Sequence, residues 1–144
     1  MATIGEMTNH LLENQGKLER LKHPLQYVGT LDVKKIRKLL RINFQYGNVY
    51  IHKGIVSHVN FHHHLVCDIY LNQISRMLQC PTFVGQNPRE SDSIELYVED
   101  SHLLLGIKRN KSSQYLFIAT MYVLEDWDRK IRSRMETNRI RRYL

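Results

Sequence analysis

Apolar residues recur at helical spacing in the first segment of the chain. Consecutive apolar positions stand three, four or seven residues apart, which brings them to one face of a helix. They are Ile4, Met7, Leu11, Leu18 and Leu21. The pattern predicts a helix within residues 1–24 that is stopped by Pro24.

Shorter signals follow this predicted helix. QYVGT predicts a short strand or a turn that ends at Gly29. Thr30 can then cap a helix through LDVKKIRKLL, with Asp32 near its positive N-terminal end. GNVYIHKG predicts the next strand, which breaks at Gly54.

The segment from Ile55 to Gln79 carries apolar side chains at helical spacing and predicts one or two helices, closed by Cys80 and Pro81. After it the apolar period changes to that of strands. The apolar runs TFVGQ, SIELYVE, HLLLGIKR and QYLFIATMYVL are separated by short polar turns. Consecutive strands at such short spacing predict an antiparallel β-meander.

Together these elements predict an α+β fold, in which N-terminal helices pack on an antiparallel β-meander and a basic C-terminal helix follows. The length of 144 residues suits one domain with a real core. Within it we expect an N-terminal helix over residues 1–24, a core over 25–125, and a basic helix or tail over 126–144.

The net charge of +7 is concentrated at the end of the sequence. Residues 129–144 hold seven basic side chains and one acidic side chain, whereas residues 1–128 are nearly balanced. A basic segment of this kind commonly binds a polyanion, most often nucleic acid. The candidates for contacts with such a polyanion are Arg129, Lys130, Arg132 and Arg134. A solvated helix end or tail would explain the same charges.

Cysteine content and hydropathy indicate the compartment. Cys67 and Cys80 lie thirteen positions apart on one predicted helix, about 20 Å at 1.5 Å per residue, too far for a disulfide. We expect both to be buried thiols in a reducing compartment. No apolar run approaches the ~20 residues that span a bilayer, and residues 1–24 do not resemble a signal peptide, so we expect a cytoplasmic protein without a membrane partner.

Four histidines stand close together at the start of the predicted helical segment: His58, His62, His63 and His64. His58 and His62 have the i, i+4 spacing of zinc ligands, and His63 or Cys67 could complete a set. The CxxC and HExxH patterns that indicate zinc are absent, so we expect neither a metal site nor a cofactor.

Acid–base chemistry is the alternative use of these histidines. Cleavage of RNA without metal requires a base for the 2′-hydroxyl, an acid for the leaving oxygen, and donors at the phosphate. His58 with His62 or His63 could supply the proton transfers, and Lys108 and Thr120 could supply the donors. By pattern alone, however, histidines at a polar helix edge are the more common explanation.

The region from YVGTLD to IATMYVLED resembles phage-associated nuclease domains of the BECR-like group, whose name gathers barnase, EndoU, colicin ribonucleases and RelE-type toxins. The turn Tyr27-Val28-Gly29 and the stretch HVNFHH match its pattern, and His58 and His63 are the matching histidines. The match continues through PTFVGQNPRESDSIEL, LLLGIKR and LFIATMY. His62 stands where arginine is more usual, and Thr120 stands where serine is commoner.

The resemblance implies metal-independent RNA cleavage by transesterification, in a toxin or phage-conflict setting that would call for a protein inhibitor or antitoxin. It implies proton exchange by His58 and His63, stabilisation of the phosphorane by Lys108, and a phosphate contact from Thr120. His62 would bind phosphate when protonated. Glu95 is a reserve candidate for the base, although an exposed strand carboxylate is the more common explanation. The rival function is a catalytically inactive nucleic-acid- or protein-binding module on the same fold.

Overall fold

The computed structural model describes residues 25–52, 54–55, 71–111 and 115–144. In chain order the elements are β1 (Leu25–Thr30), α1 (Val33–Leu39), β2 (Asn48–His52), α2 (Ile74–Gln79), β3 (Phe83–Gly85), β4 (Ser93–Val98), β5 (Leu103–Arg109), β6 (Leu116–Val123), α3 (Trp127–Glu136) and β7 (Ile140–Arg142). A 3₁₀ turn at Leu71–Gln73 leads into α2. The predicted helix of residues 1–24 lies outside the described residues.

The strands form one seven-stranded sheet in the order β1-β2-β6-β5-β4-β3-β7. Strands β3 to β6 pair antiparallel with their neighbours in chain order. β2 instead pairs with β6 in parallel, and β7 returns to pair antiparallel with β3. The sheet is therefore mixed, and its two ends come from the two ends of the described chain.

The predicted arrangement of N-terminal helices on a meander is wrong. The three helices among the described residues are short and are distributed between the strands, while β1 and β2 extend the sheet itself. The parallel contact joins Tyr50 to Phe117, and a pairing so distant in sequence leaves no mark on the local apolar pattern. Its strand β2 has three successive buried residues, as is typical of a strand covered on both faces.

The two faces of the sheet carry different side chains. One face, here called the α1–α2 face, packs against both of those helices through a large core cluster that includes Ile36, Leu78, Leu96, Leu105 and Ile118. The opposite face, here called the α3 face, carries a smaller cluster at one end, beneath α3. Its buried members are Phe83, Tyr97, Leu104, Leu124, Trp127 and Ile140.

The C-terminal segment differs from the predicted basic helix over 126–144. α3 ends at Glu136, and Asn138 adopts a left-handed backbone conformation that reverses the chain. Ile140 then packs into the smaller cluster while Arg141 remains exposed. Burial of one isoleucine and the free hydrogen-bonding edge of β3 together explain why this arginine-rich stretch forms a strand.

Two smaller expectations are also wrong. Asp32, rather than Thr30, is the N-cap of α1, because its side chain accepts a hydrogen bond from the Lys35 backbone N–H at 3.0 Å. Cys80 is exposed rather than buried, because it follows the last turn of α2. Cys67 lies outside the described residues.

Candidate functional site

A cleft of about 310 Å³ opens on the α3 face beside the smaller cluster. Strands β4, β5 and β6 form its floor, and the residue that precedes β7 closes one side. Its polar lining residues are Asn87, Glu90, Ser93, Glu95, Lys108, Thr120, Tyr122 and Arg139. A concave site with several convergent polar groups is the usual setting for ligand binding.

A β-bulge in β6 brings Lys108 and Thr120 to the same face. Lys108 pairs with Phe117, but beyond the irregularity Gly106 pairs with Thr120, so Ala119 is the extra residue on β6. Side chains alternate between faces along a strand, so without the extra residue Thr120 would point to the opposite face from Phe117. The bulge therefore turns the Thr120 side chain to the face of the sheet that carries the cleft.

Gly106 leaves room for Thr120 at the centre of the floor. Gly106 pairs with Thr120 on one side and with Glu95 on the other. A Cβ atom at position 106 would lie 2.8 Å from Cγ2 of Thr120, closer than van der Waals contact permits. A side chain here would displace Thr120, so the cleft requires glycine at this position.

Glu95 and Arg139 form a bidentate ion pair in the cleft wall. Arg139 Nε donates to Oε1 of Glu95 at 2.9 Å, and Nη2 donates to Oε2 at 2.6 Å. Glu95 is only 8% exposed, so the pair is largely screened from water. These hydrogen bonds raise the pKa of Arg139, which remains charged.

Tyr97 and Arg134 extend this network towards α3. The Tyr97 hydroxyl donates to Oε1 of Glu95 at 3.0 Å and accepts from Nη1 of Arg134 at 2.8 Å. Burial, followed by the nearby Glu95 charge, raises the pKa of Tyr97, so the phenol keeps its proton. Burial likewise raises the pKa of Tyr122, which lines the cleft. Both phenols therefore keep their protons at neutral pH.

Lys108 lies at the solvent side of the cleft. Its side chain is about half exposed, with Nζ 4.0 Å from Oε2 of Glu90. A pair at that distance and exposure is weak, because solvent screens it. The Lys108 ammonium group would therefore lose little free energy if it left Glu90 to bind an anion in the cleft.

The structure brings some of the sequence-predicted residues together. Lys108, Thr120 and the reserve candidate Glu95 line one cleft, and Arg134 contacts that cleft through Tyr97. The exposed Arg129 forms an ion pair with Asp126.

The other predicted residues lie elsewhere. Lys130 and Arg132 lie on α3, where Lys130 is half-buried and Arg132 is exposed. His58, His62 and His63 lie outside the described residues.

The sequence analysis missed Arg139, Tyr97 and Tyr122 as residues of this site, and it favoured an exposed position for Glu95. Ser93, Glu95 and Tyr97 alternate with Ile94, Leu96 and Val98 in SIELYV, as in a strand with one exposed face, so the sequence carries no signal that Glu95 is buried. A buried carboxylate in such a strand needs a cationic partner. The sequence does not indicate that the partner follows 44 residues later.

Neither a metal-binding cluster nor a membrane-spanning helix occurs in the described part of the chain. Those residues contain no cluster of three or more His, Cys, Asp or Glu side chains placed to bind a metal ion. Among the helices described, none has the length and apolar character needed to span a bilayer.

The fold and the cleft define a domain built on a seven-stranded mixed sheet, which presents ammonium, guanidinium and hydroxyl groups in one cleft. Residues 26–133 match the family described as "phage-Barnase-EndoU-ColicinE5/D-RelE like nuclease3". The chain therefore belongs to this nuclease family, and the resemblance found in the sequence is confirmed. No curated protein and no solved structure matched the chain.

Proposed function

We propose that this member of a nuclease family is an endoribonuclease that cleaves RNA by metal-independent transesterification at the cleft. The observation that carries the proposal is the convergence of Lys108, Thr120 and Arg139 in one cleft of a nuclease-family domain. Their ammonium, hydroxyl and guanidinium groups can each donate to a phosphate oxygen.

In the proposed reaction, Lys108 stabilises the negative charge that grows on the phosphorane, and Thr120 positions a non-bridging oxygen. The 2′-hydroxyl oxygen attacks the adjacent phosphorus while the 5′-oxygen leaves, which yields a 2′,3′-cyclic phosphate. By the resemblance to the family, His58 and His63 would remove the first proton and supply the second, and His62 would contact phosphate when protonated.

Glu95 fits a positioning role better than proton transfer. Its two carboxylate oxygens already accept hydrogen bonds from Arg139 and Tyr97. Proton abstraction by Glu95 would disrupt that arrangement. We therefore assign Glu95 to the orientation of Arg139 and keep the histidines as the proposed acid and base.

The biological setting follows from the activity proposed. A ribonuclease of this size would threaten the cell that makes it, so a toxin or phage-conflict role with a protein inhibitor is the setting we propose. The proposed location is the cytoplasm, where RNA is available. The basic residues Arg129, Lys130, Arg132 and Arg134 would contribute backbone contacts that do not depend on sequence.

A second function, a binding module without catalysis, has one observation in its favour. Glu95, Tyr97, Arg134 and Arg139 are hydrogen-bonded to one another without a substrate. A buried polar network of this kind can serve the rigidity of the fold alone. Such a module would bind RNA and never cut it.

A cleavage assay in excess chelator tests the proposal. The full chain is incubated with single-stranded RNA and with the all-2′-deoxy form of the same sequence. We expect the RNA alone to be cut, because transesterification needs the 2′-hydroxyl, and we expect 2′,3′-cyclic phosphate ends. Loss of cleavage in chelator would contradict the metal-free mechanism, and cleavage of the deoxy strand would exclude transesterification.

Histidine variants test the acid–base assignment in the same assay. His58→Ala and His63→Ala should each lower the rate ~10²–10⁴-fold, as removal of a general acid or base does, without lowering the melting temperature. His64→Ala is the matched control from the same stretch and should cleave at the normal rate. If the His58→Ala protein cleaved RNA at the normal rate, His58 would not be the general base, and the base would have to be sought among the cleft residues.

A further inference from the structure

A row of directly paired residues crosses the α3 face from β1 to the cleft. Tyr27 pairs with Tyr50, Tyr50 pairs with Phe117, and Phe117 pairs with Lys108. Directly paired residues project from the same face, with strands about 4.7–4.9 Å apart. Three aromatic side chains therefore lead across the sheet to the lysine at the cleft.

Two more rings join this row. Tyr50 packs edge-on against Tyr27 at 5.8 Å between ring centroids and against Tyr115 at 5.5 Å. Phe117 contacts Tyr115 and His52, each at 6.3 Å. We call these five residues the aromatic strip: Tyr27, Tyr50, His52, Tyr115 and Phe117.

The strip combines a buried support with partly accessible rings. Tyr50 is 3% exposed and lies at the centre, whereas the other four side chains are half-buried. Edge-on packing holds the rings in place, so little conformational entropy is lost when something stacks on them. Phe117 is the ring nearest to Lys108, because the two residues are directly paired.

We infer that the aromatic strip is a nucleobase-binding site, which stacks a base adjacent to the phosphate at Lys108 and Thr120 and selects single-stranded RNA. The inference rests on the proposed function and adds the substrate class to it. In a duplex the base faces are covered by their neighbours, whereas an unpaired base can lie on an aromatic ring.

Charge argues for RNA as the occupant rather than an apolar partner protein. The strip ends at a half-exposed lysine, and the cleft beyond it holds Arg139. Aromatic rings beside cationic groups are the combination that binds single-stranded nucleic acid, because bases stack while phosphates pair with the cations.

Binding to a non-cleavable strand tests the inference separately from catalysis. The probe is a short single-stranded 2′-O-methyl RNA with a fluorescent label, bound to the full chain. Phe117→Leu removes the ring but keeps an apolar side chain of similar size, and Phe117→Tyr retains a ring. Tyr46→Leu is the control, because Tyr46 is 60% exposed in the loop before β2, outside the strip.

We expect Phe117→Leu to weaken binding roughly 5- to 150-fold, the range for loss of one stacked base, and Phe117→Tyr and Tyr46→Leu to bind normally. The Phe117→Leu loss should be equal at low and high salt, since stacking is not screened. An abasic strand should bind the wild-type protein and the Phe117→Leu variant equally.

Normal binding by Phe117→Leu would overturn the inference and leave a demonstrated RNA cleavage untouched. A loss shared by Phe117→Tyr, or one that follows a lower melting temperature, would also overturn it, because packing would then be the cause. Equal affinity for duplex RNA would do the same. If the wild-type protein bound no RNA, the inference and the proposed function would both fail.

Discussion

The ion pair between Glu95 and Arg139 joins residues that are 44 positions apart in sequence. Its two hydrogen bonds attach the segment before β7 to the centre of the sheet. Gly85 allows the same approach on the β3 side, because a Cβ there would lie 2.7 Å from the Arg139 carbonyl oxygen. Arg139 thus links the wall of the cleft to β7, the last strand described.

Replacement of this arginine should reduce stability substantially. In the Arg139→Met variant, Glu95 would remain buried but would no longer have a cationic partner. We expect unfolding free energy to fall by about 2–4 kcal/mol, below the ~3–5 kcal/mol for a fully buried pair, because the Arg139 side chain is 23% exposed. Urea denaturation measures the change. Arg141→Met, on the exposed side of β7, is the control and should change little; an equal loss would mean that the pair is not responsible.

A second residue-scale prediction concerns acid stability. Hydrogen bonds from Lys111 and then Arg109 hold the pKa of Asp92 below its usual 3.8. Because the folded pKa is lowered, the stabilisation is fully present above pH 3.8 and is lost as pH falls through the folded value. The Asp92→Asn variant should therefore melt at a lower temperature than the wild-type protein at neutral pH, and the two melting temperatures should converge in acid. The control is Asp100→Asn, in the exposed turn after β4, which should show no such convergence. If the melting temperature of Asp92→Asn ran parallel to that of the wild-type protein across the pH range, the linkage would be contradicted.

At the scale of elements, α3 serves two purposes. Trp127 is buried in the smaller cluster and stacks on the His102 ring at 4.9 Å. Arg134 hydrogen-bonds to Tyr97 on the sheet, while Arg129 and Arg132 are exposed. The helix thus packs on the sheet by its apolar side, joins the cleft network through Arg134, and leaves Arg129 and Arg132 exposed.

Removal of charge from α3 should change how RNA binding depends on salt. In a triple variant, glutamine replaces Arg129, Lys130 and Arg132. The slope of log affinity against log salt should fall by ~0.7 for each phosphate that is no longer neutralised, so the total change should approach about 2. The charge-matched control replaces Lys34, Arg37 and Lys38, which lie on α1 against the opposite face. Equal slopes for the two variants would mean that α3 makes no specific contribution to RNA binding.

At the scale of the whole molecule, the sequence predicts individual strands better than it predicts which strands pair with each other. QYVGT, SIELYVE and HLLLGIKR predict strands where β1, β4 and β5 are found, because each is a short run rich in apolar residues next to turn residues. Lys108 and Thr120 lie in one cleft because of the bulge in β6, which the local apolar pattern does not indicate. The β2–β6 contact could not be predicted, because parallel partners can come from any distance along the chain.

The short strand β7 and the Arg139 site were equally inaccessible to sequence analysis. IRR has a single apolar residue, so its alternation is too brief to distinguish a strand from the end of a basic helix. Its stability comes from β3 and from Ile140 in the smaller cluster, which are tertiary contacts. The aromatic strip was missed for the same reason, since its members come from three strands and from the residue that precedes β6.

The late position of Arg139 has a consequence for biosynthesis. A ribosome that has just added Glu95 needs another 44 residues to reach its partner, or roughly 2–9 s at ~5–20 residues per second. During that interval the nascent cleft wall lacks its guanidinium and β3 lacks β7. Translation thus imposes a delay between synthesis of the sheet centre and completion of the cleft, so a nascent chain that has not yet reached Arg139 cannot have a finished site.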